Sequence, residues 1–480
     1  MNNEKKVRAI RRPHLYEALS LIVLMIVVFV FGTKKSMNYV PLMALVATYS
    51  CFLTWLCGHS WKEMEEKVCQ KIGKAVPALA IFICVGMLVG ALIYCGTIPM
   101  LIYYGTKFIS VKWVYLCSFL ICAAFSLLTG TSNGSVSTAG LAMMGLGMAM
   151  PNCNLGLLAG AILCGATLGD KISPLSDTTV FTSAITGNSV YDHVKHQSKV
   201  VLPAAAITLI IYIVIGLFSK NENIAADSTL SLQNTLGQIF KFNIVLLIPV
   251  LIVLYGAFTQ KSTIATLTLA SFCGVLIGTF YQGFDIANGV KSLYDGFSKA
   301  MITSGRPDIN IDTLDKAALT IICRGGITSM TKSFITIFIC FFFAGTAELN
   351  GTVEVLIEKL GGFMKNTVSL VISTGITMVA MIAVCGSSAP AASLAATLYQ
   401  DKYEKMGLHS LNLAREIEDF GTGSSAFIPW TSTGMLYVSV LGLNNMIFLQ
   451  YSYMNWLIWI IAIFYAITGI CIKKIEPKKA

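Results

Sequence analysis

The sequence predicts an all-α polytopic membrane protein of two structural repeats, with interrupted helices and re-entrant hairpins. Three observations carry that prediction. Only 12% of the 480 residues are charged and 55% are hydrophobic, where a soluble domain carries roughly 25% charge. Apolar runs near the ~20 residues that cross a bilayer recur along the chain. Two further apolar regions, 131–187 and 387–442, are broken by Gly, Pro, Ser and Thr at a fixed separation.

The expected spans are 15–33, 37–58, 75–95, 112–129, 199–219, 240–259, 262–281, 331–347, 366–386 and 446–472. Residues 15–32 follow a basic stretch but precede "FGTKKSMN", which offers no small-residue cleavage site, so they read as a retained first helix. The net charge of +10 comes from residues at the ends and in short connectors: Lys5, Lys6, Arg8, Arg11 and Arg12; Lys62, Lys67, Lys71 and Lys74; Lys473, Lys474, Lys478 and Lys479. That distribution is the one cytoplasmic segments carry. It predicts a plasma-membrane protein with both termini cytoplasmic. No basic face interleaves with aromatic residues, which argues against nucleic acid as a partner. Fourteen cysteines form no C-x-x-C and lie mostly within apolar runs such as "YLCSFLICAAF", where they act as core fillers.

The broken regions hold "GTSNGSVSTAG" (130–140) and "GDKISPLSDTT" (169–179) in the first half. The second half holds "CGSSAPAAS" (385–393) and "GTGSSAFIPWTSTG" (421–434). Backbone interrupted in this way cannot face lipid with its amide groups unpaired. "GALIYCGTIPMLI" (90–102) aligns with "GTAELNGTVEVLI" (345–357) at an offset of 255, which also carries Pro174 onto Pro429 and Thr178 onto Thr433. At 256, Gly130 and Ser132 fall on Gly386 and Ser388. Duplication follows: a first repeat with the N-terminal helices (1–219), a polar linker outside the membrane (220–241) and a second repeat (242–480). Interrupted helices in matching positions are how many secondary transporters build their sites, and an inverted orientation is preferred here.

The chemistry concentrates at the breaks. Pro174 unwinds the chain between Asp170 and Asp177 and frees carbonyl oxygens. With Ser173, Ser176, Thr178 and Thr179 these make an all-oxygen environment suited to a hard cation. Proton and sodium compete for such a carboxylate. Asp177 is the favoured acid, because Lys171 beside Asp170 is placed to neutralise it; the alternative for Asp177 is a helix cap. Ser132 and Asn133 form a candidate re-entrant tip. Its mate carries Ser387 and Ser388 but has Ala389 in place of Asn133. Asp177 itself falls on Ser432, so Thr431, Ser432 and Thr433 form a hydroxyl-bearing break for a polar substrate or second ion. Asp419 is the expected partner acid from the Glu416, Glu418, Asp419 cluster; the alternative is a solvated cluster at the membrane interface. His193 and His196 in "DHVKH" are expected on the surface.

Enzyme readings fare poorly. "GTSN" lacks a histidine base within an apolar span, and "TLGD" is not the G-x-G-D of an intramembrane aspartyl protease.

"GDKISPLSDTTVFTSAITGNSVYDHVKH" and "EDFGTGSSAFIPWTSTG" resemble the two signature regions of the NhaC-type Na+/H+ antiporters, within the broader ion transporter superfamily. The resemblance covers essentially the whole chain. It implies secondary transport, with members assigned to Na+/H+ exchange, malate/lactate exchange and amino-acid uptake. It carries over Asp170, Ser173, Asp177, Thr178 and Thr179 as ion-site candidates, and Asp419, Pro429 and Thr431 as second-half counterparts. Thr131, Ser132 and Asn133 are similar to the re-entrant tips of superfamily relatives. The reading is therefore a Na+/H+ antiporter with Na+ as transported ion and no cofactor. The alternative is a Na+- or H+-coupled carrier of a small carboxylate or amino acid. The lipid bilayer is its environment, and a homodimer is left open.

Overall fold

The computed structural model describes residues 10–35, 37–150, 152–218, 225–259, 261–352, 354–356 and 366–475. Lys5, Lys6, Arg8, Lys478 and Lys479, Ile357 of the aligned segment and 220–224 of the connector lie outside them.

The chain folds from α-helices and short 3-10 or π turns, with one isolated β-bridge, Leu408 to Lys474, among the described residues. In order the first half runs α1 (Leu15–Lys34), α2 (Tyr39–Leu56), α3 (Trp61–Tyr94), α4 (Thr97–Phe108), α5 (Val111–Thr129), α6 (Ser132–Ser135), α7 (Leu141–Met148), α8 (Leu155–Ile172), α9 (Asp177–Ile185) and α10 (Val190–Phe218). The connector holds α11 (Ala225–Ile239). Then come α12 (Ile248–Phe258), α13 (Thr263–Phe280), α14 (Ile286–Asp295), α15 (Lys299–Gly305), α16 (Lys316–Ile322) and α17 (Thr331–Leu349). The second half closes with α18 (Thr367–Cys385), α19 (Ser388–Lys405), α20 (Ser410–Phe427), α21 (Ser432–Leu441), α22 (Asn445–Leu449) and α23 (Tyr453–Thr468). Among the described residues six helices are long and apolar enough to cross a membrane, or up to eight if two pairs bent by 64° and 91° each count as one span.

Helix boundaries repeat between the halves almost residue for residue. α3 ends at Tyr94 with Gly96 at φ +92°, and α17 ends at Leu349 with Gly351 at φ +78°. α5 and α18 both end on a left-handed glycine, Gly130 (φ +67°) and Gly386 (φ +73°), a conformation that costs glycine no Cβ clash. α8 and α20 both stop two residues before a proline, Pro174 or Pro429, and the chain resumes as α9 or α21. The sequence register is thus a register of structure.

The repeats are inverted. α8 begins beside Tyr451, where Asn154 Nδ2 donates to Tyr451 Oη at 3.4 Å. α20 instead begins beside Cys471, whose carbonyl accepts from Arg415 Nη1 at 2.8 Å. α23 spans the distance between those two points, so α8 and α20 enter from its opposite ends. The halves also exchange their first helices: α2 packs on α17 and α13 packs on α3. Ser50 Oγ to Thr346 Oγ1 at 2.6 Å and Tyr94 Oη to Thr279 Oγ1 at 3.3 Å mark the two seams.

α5 and α8 pack backbone to backbone. A Cβ on Gly165 would sit 2.2 Å from Phe119 O, and one on Gly169 would sit 2.3 Å from Leu127 N. Small residues let membrane helices approach this closely, where packing and not the hydrophobic effect holds helices together. In the connector, α11 turns Leu232, Leu236 and Ile239 inward and packs on α4, with Gln233 Nε2 donating to Thr106 Oγ1 at 2.9 Å. All fourteen cysteines are free thiols.

Candidate functional site

The two breaks face each other across one cavity of about 370 Å³. It collects Ser132, Asn133, Asp170, Asp177 and Thr178 from the first half, and Ser387, Ser388, Ser432 and Thr433 from the second. Ser132, Asp177, Ser388 and Ser432 are each the first residue of a helix. Four helix N-termini therefore converge on the cavity. Each brings the partial positive charge of its helix start toward the cavity.

Asp170 closes one wall. It is 2% exposed, its Oδ1 accepts from Ser176 Oγ at 2.7 Å, and the Ser132 hydroxyl faces it. Lys171 does not neutralise it. The ammonium turns the other way, is fully buried and donates to the carbonyl of Glu418. The reason is helical geometry: adjacent residues on α8 point about 100° apart. Asp177 is exposed to the cavity, and the capping role belongs to Ser176, whose hydroxyl accepts from Thr179 N at 3.4 Å. Asp177 and Asn133 also line a second cavity of about 380 Å³ that continues past the tip toward Lys261. The Asn133 side-chain oxygen is buried and without a hydrogen-bond partner among the described residues.

Besides Ser176, four expected residues stand outside the cavity. Ser173 is buried and donates to Leu127 O at 3.0 Å; Thr179 is buried and donates to Asp170 O at 3.3 Å. Thr431 caps α21, accepting from Gly434 N at 3.0 Å. These three brace the breaks. Asp419 points away into a buried ionic cluster, accepting from Gln197 Nε2 at 2.6 Å and standing 3.8 Å from Arg415 Nε. Its place is taken by the preceding residue, Glu418, whose carboxylate reaches the cavity and accepts from Thr182 Oγ1 at 3.0 Å and from Thr422 Oγ1. The edge of an apolar run marks where an acid cluster sits but not the rotational phase of its helix. One sequence signal does separate the two acids: Thr422 lies at i+4 from Glu418, a pair that shares a face.

His193 and His196, expected at the surface, are 0% and 4% exposed. The helix α10 starts at Val190, earlier than the polar composition of "DHVKH" indicates, and buries both against α20.

The cavity therefore holds three carboxylates and a ring of hydroxyls, with no Lys, Arg or His among its described lining residues. Among the described residues no three acidic, histidine or cysteine side chains are close enough to ligate one ion together. A cation here would take one or two carboxylate oxygens and complete its shell from hydroxyls, an amide and freed carbonyls. Hard monovalent and divalent cations accept such oxygen sets.

Comparison with known proteins places this arrangement. The profile of the Na+/H+ antiporter family matches residues 9–217 and 165–470. The chain is 35% identical over 98% of its length, and 100% of the relative's, to an uncharacterized Na(+)/H(+) antiporter of Haemophilus influenzae. It is 30% identical to the malate-2H(+)/Na(+)-lactate antiporter of Bacillus subtilis, over 96% of both chains. It is 28% identical to the Na(+)/H(+) antiporter NhaC of Alkalihalophilus pseudofirmus, over 93% of both. Matches of this extent, on a chain whose breaks enclose an acidic cavity, mean that the protein belongs to the Na+/H+ antiporter family.

Proposed function

We propose that the protein exchanges Na+ for H+ across a bacterial plasma membrane at the cavity between the two breaks. The observation that carries the reading is the composition of that cavity: Asp170, Asp177 and Glu418 with hydroxyls and no basic side chain. Asp170 and Asp177 flank the unwound segment 173–176 and, with Ser132, Asn133 and Thr178, form the sodium end. Glu418 on the opposite wall takes and releases the proton.

The coupling follows from charge. An acidic cavity cannot cross the low-dielectric midplane with its carboxylates ionised, because moving bare charge through lipid costs at least ~3 kcal/mol per group. Occupation by Na+ or by protons removes that penalty. An empty cavity stays on the side where it was emptied, so each ion must be traded for the other.

A second reading rests on the second-half wall. Ser387, Ser388, Ser432 and Thr433 bring hydroxyls and two helix N-termini with no carboxylate of their own, an arrangement that accepts an anionic group. A volume of about 370 Å³ exceeds the needs of one bare ion. A small carboxylate or amino acid would sit there, with Na+ on the first-half wall as its counter-charge.

Transport in reconstituted vesicles tests both. Internal pH is followed after a Na+ jump, with and without malate, lactate and amino acids, in wild type and Asp177→Asn. Exchange without an organic solute, lost in Asp177→Asn, is the expected result. Strict dependence on one solute moves the assignment to the second reading, and an unimpaired mutant removes Asp177 from the mechanism.

A further inference from the structure

Behind the cavity lies a second set of buried polar groups that sodium–proton exchange, as derived above, does not use. It fills the seam between the start of α10 and the start of α20. Most of its members are engaged with one another: Arg415 Nη2 donates to Glu416 Oε1 at 2.7 Å, Arg415 Nη1 lies 3.3 Å from His196 Nε2, and Gln197 donates to Asp419. His193 is different. It is 0% exposed, and neither ring nitrogen has a hydrogen-bond partner among the described residues.

The charged groups acting on this ring come from two neighbouring helices, Glu418 of α20 and Lys171 of α8, with His196 on its own helix. α9, which also packs on α10, carries one charged residue, Asp177, at its far end. The residue preceding His193, Asp192, is exposed. His193 therefore lies beneath the exposed turn that Asp192 belongs to, within electrostatic reach of Glu418, which lines the cavity. A neutral imidazole has one donor and one acceptor nitrogen on separate edges of the ring. Buried groups of this kind are rarely left unpaired, and ordered water is their usual partner.

We propose that His193 is a proton relay between Glu418 and the aqueous surface at the α9–α10 turn, working only while the cavity is open to that same side, so that protons reach Glu418 by a route separate from the cavity mouth that sodium uses without bypassing the exchange. The proposal rests on the exchange reading of the cavity. Inward transfer takes a proton from hydronium at the surface edge onto the acceptor nitrogen, while the opposite nitrogen passes its own proton, through water, to the Glu418 carboxylate. One N–H bond forms and one breaks, hydronium becomes water, and Glu418 becomes neutral. The ring ends neutral in its other tautomer, and transfer in the reverse direction, or a ring flip, resets it.

Two fluxes separate this role from a structural one. Proteoliposomes are assayed for radiolabelled Na+ exchanging with Na+ at equal pH, which needs no proton, and for Na+-driven proton movement read by an internal pH dye. His193→Ala is expected to lower the proton flux by at least about tenfold and to leave Na+/Na+ exchange unchanged. External imidazole then restores the proton flux, and Tris at the same concentration does not. His193→Gln, which keeps the size and polarity of the side chain, gives the same split if the smaller variant fails to fold. Equal loss of both fluxes, retention of both, or no rescue by imidazole overturns the proposal. Absence of Na+/Na+ exchange in wild type, or full activity of Glu418→Gln, overturns the cavity reading instead.

Discussion

The break at 173–176 and the break at 428–431 have the same length, the same proline position and the same helix starts after them, yet they carry opposite chemistry. The first puts Asp177 at its helix start and has Asp170 seven residues before it. The second puts Ser432 at the equivalent place, with Ser425 seven residues back. Backbone geometry and ligand chemistry are therefore set independently in the two halves. Gly and Pro set where the chain unwinds; the side chains beside them set what binds. The acid of the second half, Glu418, comes from within α20, two turns before its end, and faces the first break across the cavity.

The largest effect expected from that asymmetry is on stability. Asp419, one residue further along, belongs to the second half's buried ion cluster and not to its transport wall. Asp419→Asn removes one of two acids beside the fully buried Arg415, which should cost about 3 kcal/mol. Thermal unfolding in detergent checks this, and transport per folded molecule should stay near wild type. A stable variant with lost exchange would return Asp419 to the site.

Next comes the comparison of the two helix-start residues. Asp177→Ser gives the first break the chemistry of the second and should lower Na+-driven proton flux about 100-fold, equivalent to about 2.7 kcal/mol. Ser432→Ala at the matching position should lower it only about threefold, or about 0.6 kcal/mol. Equal losses would mean that the halves contribute alike and that the acid is not the coupling group.

Much of this contrast is legible in the sequence because Gly and Pro act locally. Gly130, Pro174, Gly386 and Pro429 each stand where a helix ends, although Pro203 and Gly165 sit inside α10 and α8, so it is the matched spacing of these breaks that carries the register of the repeats. The acids do not work that way. Adjacency in the chain sets Lys171 against Asp170, but neighbours on a helix diverge, and Lys171 reaches the carbonyl of Glu418, 247 residues away in sequence. Glu418 and Asp419 are separated by the same rotation, and only the packing of α20 against α9 and α10 decides which faces the cavity. His193 and His196 read as surface residues because "DHVKH" is polar in isolation; the partners that bury them lie some 220 residues further on.

The helix seams sharpen the comparison further. α8 meets α5 through backbone at Gly169, where an added Cβ would lie 2.3 Å from Leu127 N. α20 meets α18 more loosely: a Cβ on Gly421 would touch only the end of Met378, at 3.0 Å. Gly169→Ala should therefore cost about 1–3 kcal/mol through forced separation of the helices. Gly421→Ala should be close to neutral, since the flexible methionine can move aside. Parallel unfolding curves of the two variants are the check, and similar losses would show that the second seam is as rigid as the first.

The smallest effect tests whether the poorer tip of the second half can be improved. Asn133 offers a buried side-chain oxygen with no hydrogen-bond partner among the described residues, while its mate Ala389 has no side-chain oxygen. Ala389 lines the cavity at the start of α19, so Ala389→Asn adds an amide oxygen without filling the core. One added neutral ligand is worth a fraction of a hydrogen bond after desolvation, about 0.5 kcal/mol. The apparent Na+ affinity should rise by about twofold at unchanged maximal flux. If the second-half wall receives an anionic solute instead, the new oxygen would meet a carboxylate rather than a cation. The same substitution would then weaken the response to that solute and leave the Na+ dependence as it was.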